Sequence, residues 1–252
     1  MSTTALQRLV VRLQFDPGLI RRLRKHPKKV LDTADLTHTE CEWLLASDLR
    51  AYGSDPLFAP RLLHGVVGEF PVAGALAVAQ SRTGSKALLA FFGSDRAHRA
   101  VQGGHSLALA FGDWLISRVT VGTWADGRIA EIGKLERVLA TLRRPGESDG
   151  ALCKEVGIAS VRASTSQVYG ALYAHLQTQG DMASAALVGA LGPLRHARLD
   201  AGRESRLCRT TERGPKGAIT LEVLPPALAA LVEASAKNAS RADILALART
   251  HG

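Results

Sequence analysis

The sequence of 252 residues has little of what marks a membrane, secreted or metal-binding protein. Its three cysteines, Cys41, Cys153 and Cys208, lie far apart and form no C-x-x-C pair, so neither a disulfide framework nor a zinc ribbon is supported. The longest apolar runs, such as 72–79, fall far short of the roughly 20 residues that a membrane-spanning helix requires. The N-terminus has no continuous apolar stretch of the secretory type. We therefore expect a reduced, cytoplasmic protein that does not enter a membrane.

Motifs for nucleotide binding and covalent catalysis are also missing. No G-x-G-x-x-G follows a predicted strand, and neither G-x-x-x-x-G-K-[ST] nor G-x-S-x-G occurs. The eight histidines are scattered, with no H-E-x-x-H pair. His64, Glu69 and Asp55 are the nearest local group, and we interpret them as unrelated surface and core residues. The sequence thus predicts no catalytic residue, no metal ligand and no cofactor in this chain, although an autonomous enzyme with an unrecognised site stays a third hypothesis.

Positive charge, in contrast, is abundant. The chain has 32 Lys and Arg against 23 Asp and Glu, a net charge of +9, which attracts nucleic acid, anionic lipid or an acidic protein segment without distinguishing them. One basic run consists of Arg21, Arg22, Arg24, Lys25, Lys28 and Lys29. We interpret this run chiefly as a solvated helix face, with an acidic partner or nucleic acid as the alternatives. A second run consists of Arg195, Arg198, Arg203, Arg206, Arg209, Arg213 and Lys216.

Capping signals and apolar spacing predict helices throughout the first part of the chain. Leu6, Leu9, Val10 and Leu13 have the i, i+3, i+4, i+7 spacing of a helix face. Later helices have their own start signals, because Asp-Pro and the capping box S/T-x-x-E satisfy first-turn amides. These signals lie at Asp16-Pro17, at Thr37 with Glu40, at Asp55-Pro56 and at Asp126, and further helix is predicted over 94–119 with a break at Gly103-Gly104.

The segment PGESDG at 145–150 is the strongest predicted linker, because it combines two glycines and a proline with small polar residues. We place a domain boundary there. The prediction is an α-rich, α+β protein, with an all-helical domain over 1–145 and an α+β domain over 151–252.

The second domain is predicted to contain helices over 164–179 and 181–191 and then a small antiparallel β-hairpin. Its strands cover 205–211 and 218–223, and 213–217 forms the turn. Pro225-Pro226 ends the second strand and starts a helix, and Ser240 caps a last short helix.

A hairpin with an open edge can accept an extended peptide as an additional strand. A third strand, or the preceding helices, could cover that edge equally well. The basic residues beside the hairpin would favour an acidic peptide. If a peptide binds, we expect contact with Arg206, Arg209, Ile219, Leu221 and Val223 on the hairpin and with Leu228 and Leu231 on the following helix.

The competing class is a winged-helix-like DNA-binding regulator, since helices followed by a hairpin and a net positive charge suit DNA. Against it, the predicted helices at 164–179 and 181–191 carry almost no Arg or Lys. A helix that reads the major groove should not be neutral, so the sequence argues against nucleic acid as the partner.

Several segments together resemble a known family. FDPGLIRRLRKHPKKVLDTADLTHTECEWLLASD (15–48), EFPVAGAL (69–76) and WADGRIAEIGKLERVLATLRR (124–144) resemble accessory proteins of multinuclear non-haem iron-dependent oxidative enzymes, which modify ribosomally made peptides. GAITLEVLPPALAALVEA (217–234), followed by SRADILAL (240–247), is similar to the end of a PqqD-like peptide-recognition module. Within the family the likeness is closest to partner subunits of the 3-thiaglutamate pathway. FDPGLIRRLRKHP also resembles small, non-catalytic subunits of ring-cleaving dioxygenases.

The resemblance implies that the iron and the oxygen chemistry belong to a separate TIM-barrel-like subunit. This chain would form a heterodimer with that enzyme and present a precursor peptide, so that a cysteine reaches the iron. In the 3-thiaglutamate pathway the implied reaction is oxidative excision of the β-methylene of a C-terminal cysteine. For contact with the enzyme we expect Phe70, Pro71 and Trp114, with the alternative that all three are core residues. The peptide-recognition fold has three strands before its helices, whereas two are evident in this sequence.

Overall fold

Helices form most of the chain before residue 145, as the capping signals predict. The structure, a computed structural model, describes residues 3–49, 51–53, 57–144, 151–153, 156–210 and 219–225. The fold is α-rich α+β, as the sequence predicts. The α-helices are α1 Thr3–Phe15, α2 Pro17–Lys25, α3 Pro27–Leu31, α4 His38–Ala46, α5 Phe58–Glu69, α6 Pro71–Gln80, α7 Lys86–Leu89, α8 Asp95–Gly103, α9 Leu107–Thr120, α10 Gly127–Leu142, α11 Thr165–Thr178 and α12 Met182–Leu187. The strands are β1 Ala151–Cys153, β2 Val156–Arg162, β3 Arg203–Thr210 and β4 Ile219–Leu224.

The predicted start signals of α2, α4 and α10 form their hydrogen bonds. Asp16 and Asp126 each accept a first-turn amide N–H through a carboxylate oxygen, at 3.0 and 2.9 Å. Thr37 and Glu40 form the reciprocal capping box, in which the Thr37 N–H donates to Glu40 Oε2 at 2.8 Å and the Glu40 N–H donates to Thr37 Oγ1 at 3.3 Å. The predicted break after α8 is Gly104, whose φ of +63° is left-handed. The start signal at Asp55-Pro56 lies outside the described residues.

Helix α6 lies at the centre of the main core. Every residue of α6 from Pro71 to Val78 is buried. The helix is apolar on all sides because α5, α9, α10, α11 and α12 surround it. The surrounding core contains a chain of aromatic rings, in which Phe91 and Trp114 both contact Phe111, at centroid distances of 5.2 and 5.9 Å.

The N-terminus of α6 is capped by a residue from another helix. Its own N-cap position makes no side-chain hydrogen bond. Instead Glu136, in α10, accepts the N–H of Val72 at 2.9 Å and that of Ala73 at 3.1 Å, one through each carboxylate oxygen. Burial raises the pKa of Glu136 to about 8, while the two amide hydrogen bonds and the charge of Arg143 act in the opposite direction. Glu136 thereby joins α10 to α6.

The sheet is antiparallel with the order β1-β2-β3-β4. Gly157 pairs with Cys208, Arg162 pairs with Arg203, and Ser205 pairs with Leu224. One face of β2 and β3 packs on α10 and belongs to the main core, which includes Cys208. The predicted strands correspond to β3 and β4, and the predicted turn at 213–217 lies outside the described residues.

Strands β1 and β2 were not predicted. β2 has the sequence VGIASVR, which contains a glycine, an alanine and a serine rather than a run of β-branched residues. The structure explains the glycine, because a Cβ atom at Gly157 would lie 2.6 Å from Val138 Cγ1 of α10. Close approach of α10 therefore requires glycine at position 157. Glycine is unfavourable in a strand, so the sequence pattern did not indicate β2.

The predicted boundary at 145–150 lies outside the described residues, and the apolar core does not divide around it. Val161 in the sheet belongs to the same cluster as Ile132 and Leu139 of α10. A separate apolar cluster joins α1 to α4 and consists of Leu9, Leu13, Leu19, Ile20, Leu23, Leu31 and Leu44. Independent folding of the two predicted domains stays a prediction.

Within the described residues, no single helix has both the length and the apolar composition to cross a membrane. Helices α5 and α6 have the required length and apolar composition only when they are taken together, and the chain bends by 118° between them.

Candidate functional site

Strand β4 forms an edge of the sheet. It pairs with β3, and no strand among the described residues pairs with its other side. The third strand that the sequence left open does exist, but it is β2 and it covers β3. We call the unpaired side of β4, residues 219–224, the β4 edge.

Three of the residues expected to bind a peptide have described side chains, and they differ in availability. Val223 is 56% exposed, and Leu221 is half-buried against the main core. Arg206 lies directly opposite Val223, but its Nε and Nη2 donate to the two carboxylate oxygens of Glu204 at 2.8 and 3.0 Å. Glu204 therefore balances the charge of Arg206, and the contact of Arg206 with a peptide stays a prediction.

The other expected contacts can be located only in part. By their backbone, Arg209 pairs with Thr220 and Ile219 pairs with Thr210 in the β3–β4 ladder. Leu228 and Leu231 lie outside the described residues.

The residues expected to contact a partner enzyme lie in the core. Phe70 is fully buried, and a Cβ atom at Gly112 would overlap its ring, so the ring lies directly on α9. Pro71 is buried in the first turn of α6. Trp114 is 5% exposed and meets Trp124 edge-on, with ring centroids 5.5 Å apart. The expected contact of these three residues with an enzyme is therefore corrected, because their side chains are buried and a partner cannot reach them. The alternative, that all three are core residues, describes this structure.

A cleft of about 470 Å³ opens where the N-terminus of α10 meets the end of β2 and the segment that precedes β3. Four arginines and one aspartate are among its lining residues. We call it the arginine cleft, and its lining is Gln80, Ala125, Asp126, Gly127, Arg128, Arg162, Arg195, His196, Ala197, Arg198 and Leu199.

Arg128 holds the walls of the arginine cleft together. Its Nε and Nη2 donate to the Asp126 carboxylate, with the shortest distance 2.6 Å. Its Nη1 also donates to the carbonyl of Ala197 at 2.6 Å, and its Nη2 donates to that of Arg195 at 2.7 Å. All three nitrogens are thus engaged, and Asp126 balances the charge, so Arg128 has a structural role.

The guanidinium groups of the remaining arginines of the cleft have no carboxylate partner among the described residues, although the backbone N–H of Arg162 donates to Glu131 Oε2 at 2.9 Å. Arg162, Arg195 and Arg198 are exposed. Arg195 donates from Nη2 to the neutral carbonyl of Ala79 at 3.1 Å, and neither Arg162 nor Arg198 has a side-chain hydrogen bond or ion pair in the described part of the chain. Arg162 also lies directly opposite Arg203, an arrangement of like charges that disfavours the sheet. Three guanidinium groups without a carboxylate partner among the described residues therefore line the cleft.

The sequence did not identify this cleft, because its lining residues come from four distant segments. Arg195 and Arg198 belong to the second basic run, which we had associated with the hairpin. Arg128 and Arg162 belong to neither run, and no local pattern connects them. His64 Nε2 lies 2.6 Å from Asp181 Oδ2, at the start of α12, and Glu69 pairs with Arg143 and Arg144, so these two residues do not form a common site.

A smaller groove of about 360 Å³ lies among α1, α2 and α3 and includes part of the first basic run. Its lining is Leu9, Arg12, Leu19, Arg22, His26, Lys29, Val30, Thr33 and Ala34. Arg22 donates to Asp16 at 3.0 Å, and both side chains are about half exposed. Arg21, Arg24, Lys25 and Lys28, the other members of the run, are exposed outside the groove.

In the described part of the chain, no group of three or more His, Cys, Asp or Glu residues could hold a metal ion. In comparisons with protein families, curated proteins and solved structures, the chain matched none. The family resemblance noted in the sequence stays a prediction.

Proposed function

We propose that this chain is a non-catalytic subunit that binds an extended peptide at the β4 edge and delivers it to a separate iron-dependent oxidative enzyme. The observation that carries the proposal is the β4 edge itself. Its outer side pairs with no described strand, and its Val223 side chain is more than half exposed. An edge strand of this kind provides backbone partners for an added strand and an apolar contact for its side chains.

The enzyme and the chemistry enter the proposal through the sequence resemblance. In that reading the peptide is a ribosomal precursor, the modified residue is a cysteine, and the pathway is that of 3-thiaglutamate, in the cytoplasm. Two of the resembling segments, 69–76 and 124–144, meet in the core, where Glu136 caps α6. Their likeness to the family therefore supports a common helical core, and the surface that binds the enzyme must be sought among exposed residues.

Peptide binding is tested by one exposed substitution and a matched control. Val223→Glu places a charge on the β4 edge, and Val188→Glu places the same charge at a valine that is 76% exposed elsewhere. The probe is a fluorescently labelled extended peptide with the C-terminal cysteine that the resemblance implies, and the readout is anisotropy. We expect Val223→Glu to weaken binding by about tenfold, the effect of losing about 1.4 kcal/mol, and Val188→Glu to leave it unchanged. Equal binding of the peptide by both variants would exclude the β4 edge as the peptide-binding site.

The partnership is tested by co-expression with a multinuclear non-haem iron-dependent oxidative enzyme of the kind that the resemblance implies. We expect an equimolar complex that survives size-exclusion chromatography, with iron in the partner. A chain that stays monomeric beside that enzyme and retards duplex DNA in a gel would instead support the DNA-binding alternative. Stoichiometric iron in the isolated chain would contradict an accessory role.

A further inference from the structure

The arginine cleft has the charge and the size of a binding site, yet peptide pairing at the β4 edge does not involve it. Its volume of about 470 Å³ lies in the usual range of ligand pockets, roughly 300 to 1,000 Å³. Arg162 reaches it from β2, and Arg195 and Arg198 reach it from the segment before β3, and none of the three guanidinium groups has a carboxylate partner in the described part of the chain. Positive charges that the fold brings close together repel each other and lower the stability, unless a bound anion balances them.

The arrangement of donors discriminates among anions. A phosphate pocket concentrates amide and guanidinium donors on one point. Here Arg128, the most enclosed guanidinium, is already engaged, and the Asp126 carboxylate occupies the first-turn amide of α10. The available charges instead belong to two segments, with Arg162 on β2 and with Arg195 and Arg198 before β3. This distribution fits several carboxylates along one chain better than a single phosphate group.

The position of the cleft agrees with a peptide that also contacts the β4 edge. Leu224, at the end of β4, pairs with Ser205, and Arg162 pairs with Arg203 two residues away on the same strand. The end of β4 and the cleft therefore lie at the same end of the sheet. A strand added to β4 would lie three strand spacings from β2, about 15 Å, which about five extended residues span.

We propose that the arginine cleft binds the acidic segment of a peptide, with Arg162, Arg195 and Arg198 as the groups that recognise its carboxylates. The identification of the ligand as a peptide rests on the proposed function, but the anionic chemistry rests on the cleft alone. The strand edge then supplies sequence-independent backbone pairing, and the cleft supplies selectivity for charge.

The test uses the full chain and a fluorescein-labelled peptide of alternating Glu and Ser, with a Gln-Ser peptide of equal length as the uncharged probe. The double variant Arg162→Gln/Arg198→Gln removes two charges from the cleft. Arg21→Gln/Arg24→Gln removes two exposed charges from the first basic run and serves as the matched control, so that net charge is equal in both. Thermal melts confirm that all variants fold.

We expect the acidic peptide to bind the wild type and the control alike, and to bind the cleft variant about tenfold more weakly at physiological salt. The Gln-Ser peptide should bind none of them measurably. Equal weakening in both double variants would mean a non-specific charge effect and would overturn the proposal, as would displacement of the peptide by pyrophosphate at concentrations below those of the peptide.

The outcome is separable from that of the proposed function. If Val223→Glu abolishes binding of the precursor peptide while the cleft variant binds the precursor and Glu-Ser peptides normally, the cleft proposal fails and the proposal for the β4 edge stands. If the cleft variant alone weakens binding of the acidic peptide, the cleft proposal stands without the β4 edge.

Discussion

The two basic regions of the molecule are built in opposite ways. In the first basic run, six charges follow one another on α2 and α3, and most of them point to solvent. In the arginine cleft, four arginines come from α10, β2 and the segment before β3. Each region has an aspartate that caps a helix and binds an arginine. Asp16 and Arg22 do so in the open, with side chains 47% and 59% exposed, whereas Asp126 and Arg128 are 11% and 16% exposed.

Basic residues that are adjacent in sequence therefore indicate something different from basic residues that the fold brings together from distant segments. Charges adjacent in sequence on a short helix separate around its surface, and the solvent screens them. Charges that meet only through folding are gathered in one cleft, and the fold has to stabilise them. Convergence of this kind therefore indicates a site more strongly than the number of charges does.

The largest expected effect is that of removing the enclosed aspartate. Asp126→Ala loses the cap of α10 and leaves Arg128 without its counter-charge, so we expect the free energy of unfolding to fall by about 3 kcal/mol. Asp16→Ala makes the same two losses at the surface, where about 1 kcal/mol is expected. Urea denaturation followed by circular dichroism measures both.

Asp126→Asn separates the two contributions, because asparagine retains the cap without the charge. It should recover part of the loss but not all of it. If Asp16→Ala and Asp126→Ala destabilise equally, the enclosed pair has no special role and the comparison fails.

A second pair of residues contrasts capping within a helix with capping between helices. Glu40 completes the capping box of α4 locally, whereas Glu136 caps α6 from α10. Glutamine is a normal member of a capping box, so Glu40→Gln should change stability by less than about 0.5 kcal/mol. In Glu136→Gln the amide NH₂ must face one of two donating backbone N–H groups, and we expect a loss of about 2 kcal/mol.

The pH dependence of Glu136 follows from its burial. Burial raises its pKa from 4.5 to about 8, so the folded chain retains a proton that the unfolded chain releases between these values. The stabilisation is complete below about pH 4.5 and is lost as the pH rises to about 8. The stability difference between wild type and Glu136→Gln should therefore shrink over this window. A difference that grows with pH would mean that the amide hydrogen bonds hold Glu136 as an anion.

These contrasts also explain what could be predicted from the sequence. The helices of the first part have local causes, such as the Asp16 cap and the Thr37 capping box, and the structure contains them. β3 and β4 are similarly evident from composition. β2 was missed because Gly157 is dictated by Val138 of α10, and the enzyme contact was misassigned because the aromatic and proline residues around Phe70 fill the core. The arginine cleft, which is lined by four distant segments, has no local signal at all.

The smallest expected effect is on stability, which two single arginine substitutions should change in opposite directions. Arg24 lies in the last turn of α2, where a positive charge favours the helix, so Arg24→Gln should lower the stability slightly. Arg162 opposes Arg203 across the sheet, so Arg162→Gln should raise it, and both changes should be roughly 0.5 kcal/mol or less. Melting temperatures at low and high salt provide the measurement, since both differences should disappear as salt screens the charges. Adding the Glu-Ser peptide should reverse the order for Arg162, because a ligand that binds only the folded wild type stabilises it. Equal signs without the peptide would mean that Arg162 and Arg203 do not repel each other, and the expected contrast between the two arginines would be wrong.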